Sequence, residues 1–156
     1  MTRNDILRRI KEVFNYDDTK VSTIFSMAKH PVGKTDVEDW LRREDDPAYR
    51  VLYDDELATF LNGLIIENRG KKEGPAPKPE KKLTNNMVLK KLQIALNYRA
   101  DHVLEALALA GHEMNKYELS AIFRKPDHRH YRPLRNQALR QFLKGVELKN
   151  TNREQV

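Results

Sequence analysis

Apolar residues recur along this chain at the spacing of a helix face, and they do so in eight separate runs. Ile6, Leu7, Ile10, Val13 and Phe14 predict a helix over residues 4–14, with Thr2 or Asn4 as its cap and Asn15-Tyr16-Asp17 as its end. Val21, Ile24, Phe25 and Ala28 predict a second helix, which Pro31 and Gly33 break off. Thr35-Asp36-Val37-Glu38 reads as a capping box opening a third helix, with Val37, Trp40 and Leu41 inward. After a loop over 43–53, Asp54 or Asp55 is placed to cap a fourth. That helix carries Leu57, Phe60, Leu61, Leu64 and Ile65, and Gly70 closes it. The remaining four runs repeat this plan. Val88, Leu89, Leu92, Ala95 and Leu96 form one face, and Val103, Leu104 and Leu107 the next, capped by Asp101 and ended by Gly111. Asn115 and Glu118 open a run with Leu119, Ile122 and Phe123. Leu139, Phe142, Leu143 and Val146 form the last. No alternating pattern of the kind that marks a strand stands out.

The second four runs are the first four displaced by 82 positions. Leu7/Leu89, Asn15/Asn97, Tyr16/Tyr98, Val21/Val103, His30/His112, Lys34/Lys116 and Leu57/Leu139 are identical, and the register holds without a gap from Asn4/Asn86 to Gly63/Gly145. The densest match is Arg42-x-x-Asp45-x-x-x-Tyr49-Arg50 against Arg124-x-x-Asp127-x-x-x-Tyr131-Arg132. Phe-Leu-x-Gly follows at 60–63 and 142–145. A register kept over sixty residues denotes duplication and sets the architecture.

Between the copies lies a stretch of different character. Residues 70–83 hold three prolines, two glycines and five lysines and present no apolar face, which predicts a solvated linker. Charge is divided unevenly about it. Residues 1–69 have net charge −3, residues 70–83 +3 and residues 84–156 +6. A basic second half raises the expectation of an anionic partner. The chain has no cysteine, which excludes disulfides and thiol chemistry. No apolar run approaches the roughly 20 residues a membrane helix needs, and the N-terminus shows no signal core, so a cytoplasmic protein is expected.

The motifs also carry a resemblance. Asn-x-x-Val-Leu-Lys-Lys-Leu ending at Leu92, the doubled Arg/Asp/Tyr-Arg motif and the doubled Phe-Leu-x-Gly resemble the YehS-like bacterial proteins, over about residues 2–148. The resemblance implies a small bacterial protein built from a repeated helical unit. It implies no agreed activity and brings no site residues with it.

Candidate chemistry therefore has to come from the residues. Ala28 to Thr35 is a loose phosphate-loop pattern, but a helix precedes it where a strand is required, and Thr35 reads better as a cap. Asp127, His128 and His130 are metal-ligand types, but Arg129 stands among them and the first copy has Asp45-Asp46-Pro47-Ala48, so an exposed polar loop is expected and no metal. His30 and His112 read as turn residues. No nucleophile–base pair or paired carboxylates emerge, and no cofactor is expected.

The cations are the better signal. They recur at Arg8-Arg9/Lys90-Lys91, Arg42-Arg43/Arg124-Lys125 and Arg50/Arg132. Arg42 paired with Asp45 over Tyr49 would make the motif a buttress. In the second copy Arg129, Arg135 and Arg140 are added without acidic neighbours, which favours an anion-binding face. The expectation is an all-α chain. Residues 1–69 and 84–150 are two pseudo-symmetric four-helix units, 70–83 a flexible basic linker, and 151–156 a polar tail. The function expected is non-enzymatic nucleic-acid binding or regulation. DNA or RNA would meet Lys90, Lys91, Arg124, Lys125, Arg129, Arg132, Arg135 and Arg140; Tyr131 is of a type to stack on a base, but burial is the expectation for it. The alternative is an adaptor that docks an acidic protein. The oligomeric state stays open.

Overall fold

The structure, a computed structural model, describes residues 1–154. The chain divides into two compact units, the first Met1–Leu83 and the second from Thr84 onward. The first holds α1 (Arg3–Phe14), α2 (Asp18–Met27), α3 (Lys34–Leu41) and α4 (Asp54–Arg69). The second holds α5 (Asn85–Ala95), α6 (Ala100–Leu109), α7 (Lys116–Ile122) and α8 (Asn136–Glu154). There is no strand among the described residues. The chain is all-α and made of two tandem helical units, as the apolar register predicts. Residues 151–154 of the expected tail continue α8, and residues 155–156 lie outside the described residues.

Each core is built mainly from residues picked out by helical spacing, joined by Leu52 and Leu83 in the first unit and Leu134 in the second, while Phe14, Ala28, Leu41, Ile65, Leu96, Leu104 and Phe123, expected inward, are half-buried. In the first unit Ile6, Leu7, Ile10, Val21, Ile24, Val37, Leu57 and Leu61 are fully buried. They surround Phe25, whose ring lies 5.2 Å from that of Trp40 and 5.3 Å from that of Phe60. In the second, Val88, Leu89, Leu92, Val103, Leu139, Phe142 and Val146 are buried around the smaller pair Leu107 and Ile122, which replace Phe25 and Trp40.

The shared Gly63/Gly145 has a packing reason. A Cβ on Gly63 would stand 2.0 Å from the carbonyl oxygen of Ile24, and one on Gly145 1.7 Å from that of Ala106. The long helix of each unit thus crosses the backbone of the second helix at a distance only glycine permits. Other backbone features are duplicated too. Asn15 and Asn97 both take the left-handed conformation, with φ of 54° and 55°. So do Lys29 (φ 61°) and Gly111 (φ 81°), one repeat apart.

The helix starts differ in detail from the sequence reading. Thr2 and Asn115 do cap α1 and α7. The cap of α3 is Gly33, not Thr35, and Asp36 Oδ2 accepts from the Gly33 amide at 2.7 Å. The cap of α4 is Tyr53, whose amide donates to Glu56. The cap of α6 is Arg99, whose amide donates to His102 Nδ1. In all three the side chain three residues in reaches back to a cap residue that supplies no side-chain bond. That half of the capping box suffices, and it moves the start one or two residues ahead of the Thr or Asp expected to cap.

Asp54 is thereby released for another task. Its Oδ2 accepts from the Leu83 amide at 2.8 Å and its Oδ1 from Arg3 Nε at 2.8 Å, while Arg3 Nη2 donates to the Leu83 carbonyl. Burial would raise the Asp54 carboxyl, but the Leu83 amide and the Arg3 guanidinium outweigh it and hold it below the usual carboxylate range. Leu83 is itself buried. The segment after Gly70 is exposed over residues 71–79, and its last residue is anchored to the first unit.

Candidate anion-binding site

The Arg/Asp/Tyr-Arg motif forms the loop between the third and fourth helices of each unit, and one buried side chain holds each loop in place. Asn4 Nδ2 donates to the carbonyls of Trp40 and Arg50, both at 2.8 Å, and its Oδ1 accepts from the Leu52 amide at 2.9 Å. One repeat later, Asn86 Nδ2 donates to Ile122 O at 2.9 Å and Arg132 O at 2.8 Å, and its Oδ1 accepts from Leu134 N at 2.8 Å. Both asparagines are buried. An amide is the one side-chain group that supplies two donors to two carbonyls and an acceptor to an N–H from a single position. The loop backbones agree as well. Arg50 N donates to Asp39 O and Arg132 N to Ala121 O; Tyr49 N donates to Asp46 O and Tyr131 N to His128 O.

On this common frame the two loops are charged differently. Residues 42–53 carry three arginines and three carboxylates, whereas 124–135 carry five cations and the single acid Asp127. In the first loop Arg42 pairs with Asp39 at 3.0 Å and Asp46 at 3.6 Å, not with Asp45, which meets Arg43 at 3.4 Å. The bond to Asp39 pushes the Arg42 guanidinium pKa further up. Arg50 pairs with Asp36 at 2.9 Å and stacks 4.7 Å over Trp40. The Gly33 amide and then Arg50 hold the Asp36 carboxyl below its ordinary range. Arg8 pairs with Asp5 and donates to the carbonyls of Leu41 and Arg42. The first loop is a self-neutralised buttress.

In the second unit the arginines remain and most of these carboxylates are gone. Asp39 becomes Ala121, Asp46 becomes His128, Asp5 becomes Met87 and Glu38 becomes Ser120, while Asp36 is kept as Glu118 and Asp45 as Asp127. Among the described residues neither Arg124 nor Arg132 forms an ion pair. Arg124 lies 3.3 Å from His128 Nε2, and Arg132 donates to its neighbour's carbonyl, Tyr131 O. Arg129 donates to His130 Nε2 at 3.2 Å. Lys125, Arg129 and Arg132 are exposed.

The eight cations expected from sequence are not all brought together. Arg124, Lys125 and Arg129 line an open depression of about 720 Å³ with Phe123, Asp127 and His128. Arg124 also lines a second hollow, of about 370 Å³, with Arg132, His130 and Tyr117. Lys90 joins them through Phe123, standing 4.9 Å over its ring. Lys91 is half-buried and engaged, and Arg135 and Arg140 stand outside both depressions, Arg140 bonded to Gln137 on α8. Tyr131 is half-buried, while Tyr117, 87% exposed, is the accessible ring. Setting the two copies side by side carries the missed signal: Thr35 against Tyr117, Glu38 against Ser120, Asp39 against Ala121.

Among the described residues no group of three or more His, Asp or Glu side chains is arranged to hold a metal ion. No helix among them is long and apolar enough to cross a membrane.

The fold and site define a class: an internally duplicated all-α protein whose two copies share a clamped loop and differ in its charge. The family described as a protein of unknown function (DUF1456) matches twice, over residues 3–70 and 85–151, one match for each unit. The chain is 37% identical over 147 residues to the uncharacterised protein YehS of Escherichia coli (strain K12), with 94% of each chain covered. It belongs to this YehS-like family, whose repeated unit is the four-helix unit described above. No solved structure matches it.

Proposed function

We propose that the chain is a non-enzymatic, regulatory nucleic-acid-binding protein that meets the phosphate backbone with the α7–α8 loop of its second unit. One observation carries the reading: Arg124 and Arg132 keep the positions of Arg42 and Arg50 but form no ion pair among the described residues, because Ala121 and His128 replace the partners of Arg42, and Glu118, in the place of Asp36, bonds the Asn115 amide and not Arg132. Guanidinium groups already paired within a fold offer little to a phosphate. Unpaired and exposed ones exchange condensed counterions for it, which is the main source of nonspecific affinity for nucleic acid. Lys125, Arg129 and Lys90 extend the same charge. The setting in this reading is the cytoplasm, where nucleic acid is at hand.

The test is fluorescence anisotropy of a labelled oligonucleotide at a series of salt concentrations, with the whole chain and its Arg124→Gln/Arg132→Gln variant. The expected result is a linear fall of log K with log salt in the wild type. The variant should give a shallower slope, by about 0.7–0.9 for each phosphate it no longer neutralises, at unchanged melting temperature. Absence of binding by the wild type at low salt would overturn the reading in favour of an acidic protein as the loop's partner.

A further inference from the structure

Resting on that reading, we infer that the hollow beside α7 is a subsite for one unpaired base, so that the nucleic acid bound is single-stranded. Tyr117, Ser120, Ala121 and Arg124 fall at i, i+3, i+4 and i+7, which aligns them along one side of α7 and its exit. The returning loop passes that side, fixed by the bond from Arg132 N to Ala121 O at 3.2 Å, and adds His130 and Arg132. The result is a hollow of about 370 Å³, within the range of small-molecule sites. Ser120 and Ala121 line it together with the exposed Tyr117, Arg124 and Arg132.

The first unit shows what this place looks like when it is not a site. The same positions there are Thr35, Glu38, Asp39 and Arg42, with Arg42 bonded to Asp39. Glu38 and Asp39 would repel a phosphate, and Thr35 offers no ring. In the second unit Ser120 and Ala121 remove both charges and Tyr117 supplies the ring. One carboxylate remains in the lining, Glu118, and it is engaged as the cap partner of the Asn115 amide. Phosphate-seeking cations alone would bind any duplex. An exposed ring in an open hollow beside them accepts the face of a base, and bases show that face only when unpaired.

The experiment compares the whole chain with its Tyr117→Ala and Tyr117→Phe variants. The probes are a labelled single-stranded DNA 12-mer, the same 12-mer made abasic, and the blunt duplex. The wild type should prefer the single strand. Tyr117→Ala should weaken single-strand binding about tenfold and leave the abasic strand and the duplex unchanged, with Tyr117→Phe near wild type. Equal effects on all three probes, no effect of Tyr117→Ala, or a wild-type preference for the duplex would overturn the subsite. A preserved salt slope in any of those cases would leave the phosphate-binding reading standing. Failure of every probe to bind at low salt would remove both.

Discussion

At the scale of single residues, the molecule depends on one amide per unit. Asn4 and Asn86 each span a third-helix end and two loop residues, 36 to 48 positions away in the chain. Asn86→Ala would strand an N–H and two carbonyls in a buried place. Each such group costs about 1–3 kcal/mol when left unpaired, although water entering the cavity would recover part. Urea unfolding should therefore show the second unit losing about 3 kcal/mol. Asn86→Asp should be no milder, because it sets a carboxylate against two carbonyl oxygens. A loss below about 0.5 kcal/mol for either variant, within the range of ordinary surface substitutions, would show that the loop holds its form without the clamp.

Helices are the scale at which the sequence is most readable, and the close approach of α4 to α2 and of α8 to α6 shows why. Helical periodicity places Leu57, Phe60 and Leu61 inward because burial is a property of a face, and a face is a local pattern. The 82-residue register then doubles every such inference. Starts are less legible. Thr35, Asp54 and Asp101 are good cap types, yet Gly33, Tyr53 and Arg99 occupy the cap, since Asp36, Glu56 and His102 reach back to amides that any residue supplies. Asn4 and Asn86 stand in the repeat as matched polar residues, but their bonds join distant segments and leave no local trace. Gly145 gives a test with an unambiguous sign. In an exposed helix interior Gly→Ala stabilises by about 1 kcal/mol. Here the added Cβ falls 1.7 Å from Ala106 O, so Gly145→Ala should destabilise the second unit by about 2 kcal/mol as α8 is pushed off α6. A gain in the urea midpoint would refute the close crossing.

Across the whole molecule, duplication left one loop with two charge patterns. The first copy keeps charges of both signs and satisfies them internally, at Arg42–Asp39, Arg50–Asp36 and Arg8–Asp5. The second keeps a cation at each of these positions, loses Asp39 and Asp5 to Ala121 and Met87, and commits Glu118, in the place of Asp36, to the cap of α7. Net charge singles out the second half but not which of its cations share a depression. It counted Lys91, Arg135 and Arg140 with the rest, because which cations share a depression depends on where the loop turns back. Pairing is also a three-dimensional matter: Arg42 chooses Asp39 and Asp46 over Asp45. On the proposed function, the loss of Glu38 and Asp39 makes the second loop a binding surface, and the direct measurement is to put them back. In Ser120→Glu/Ala121→Asp the second unit regains the acids of Glu38 and Asp39 at two exposed or half-buried positions, where no core is disturbed. Anisotropy against a single-stranded oligonucleotide, taken over a salt series, should show affinity reduced at least tenfold and a slope shallower by about 0.7 or more, with the melting temperature kept or raised. Unchanged affinity and slope in a folded variant would contradict the account.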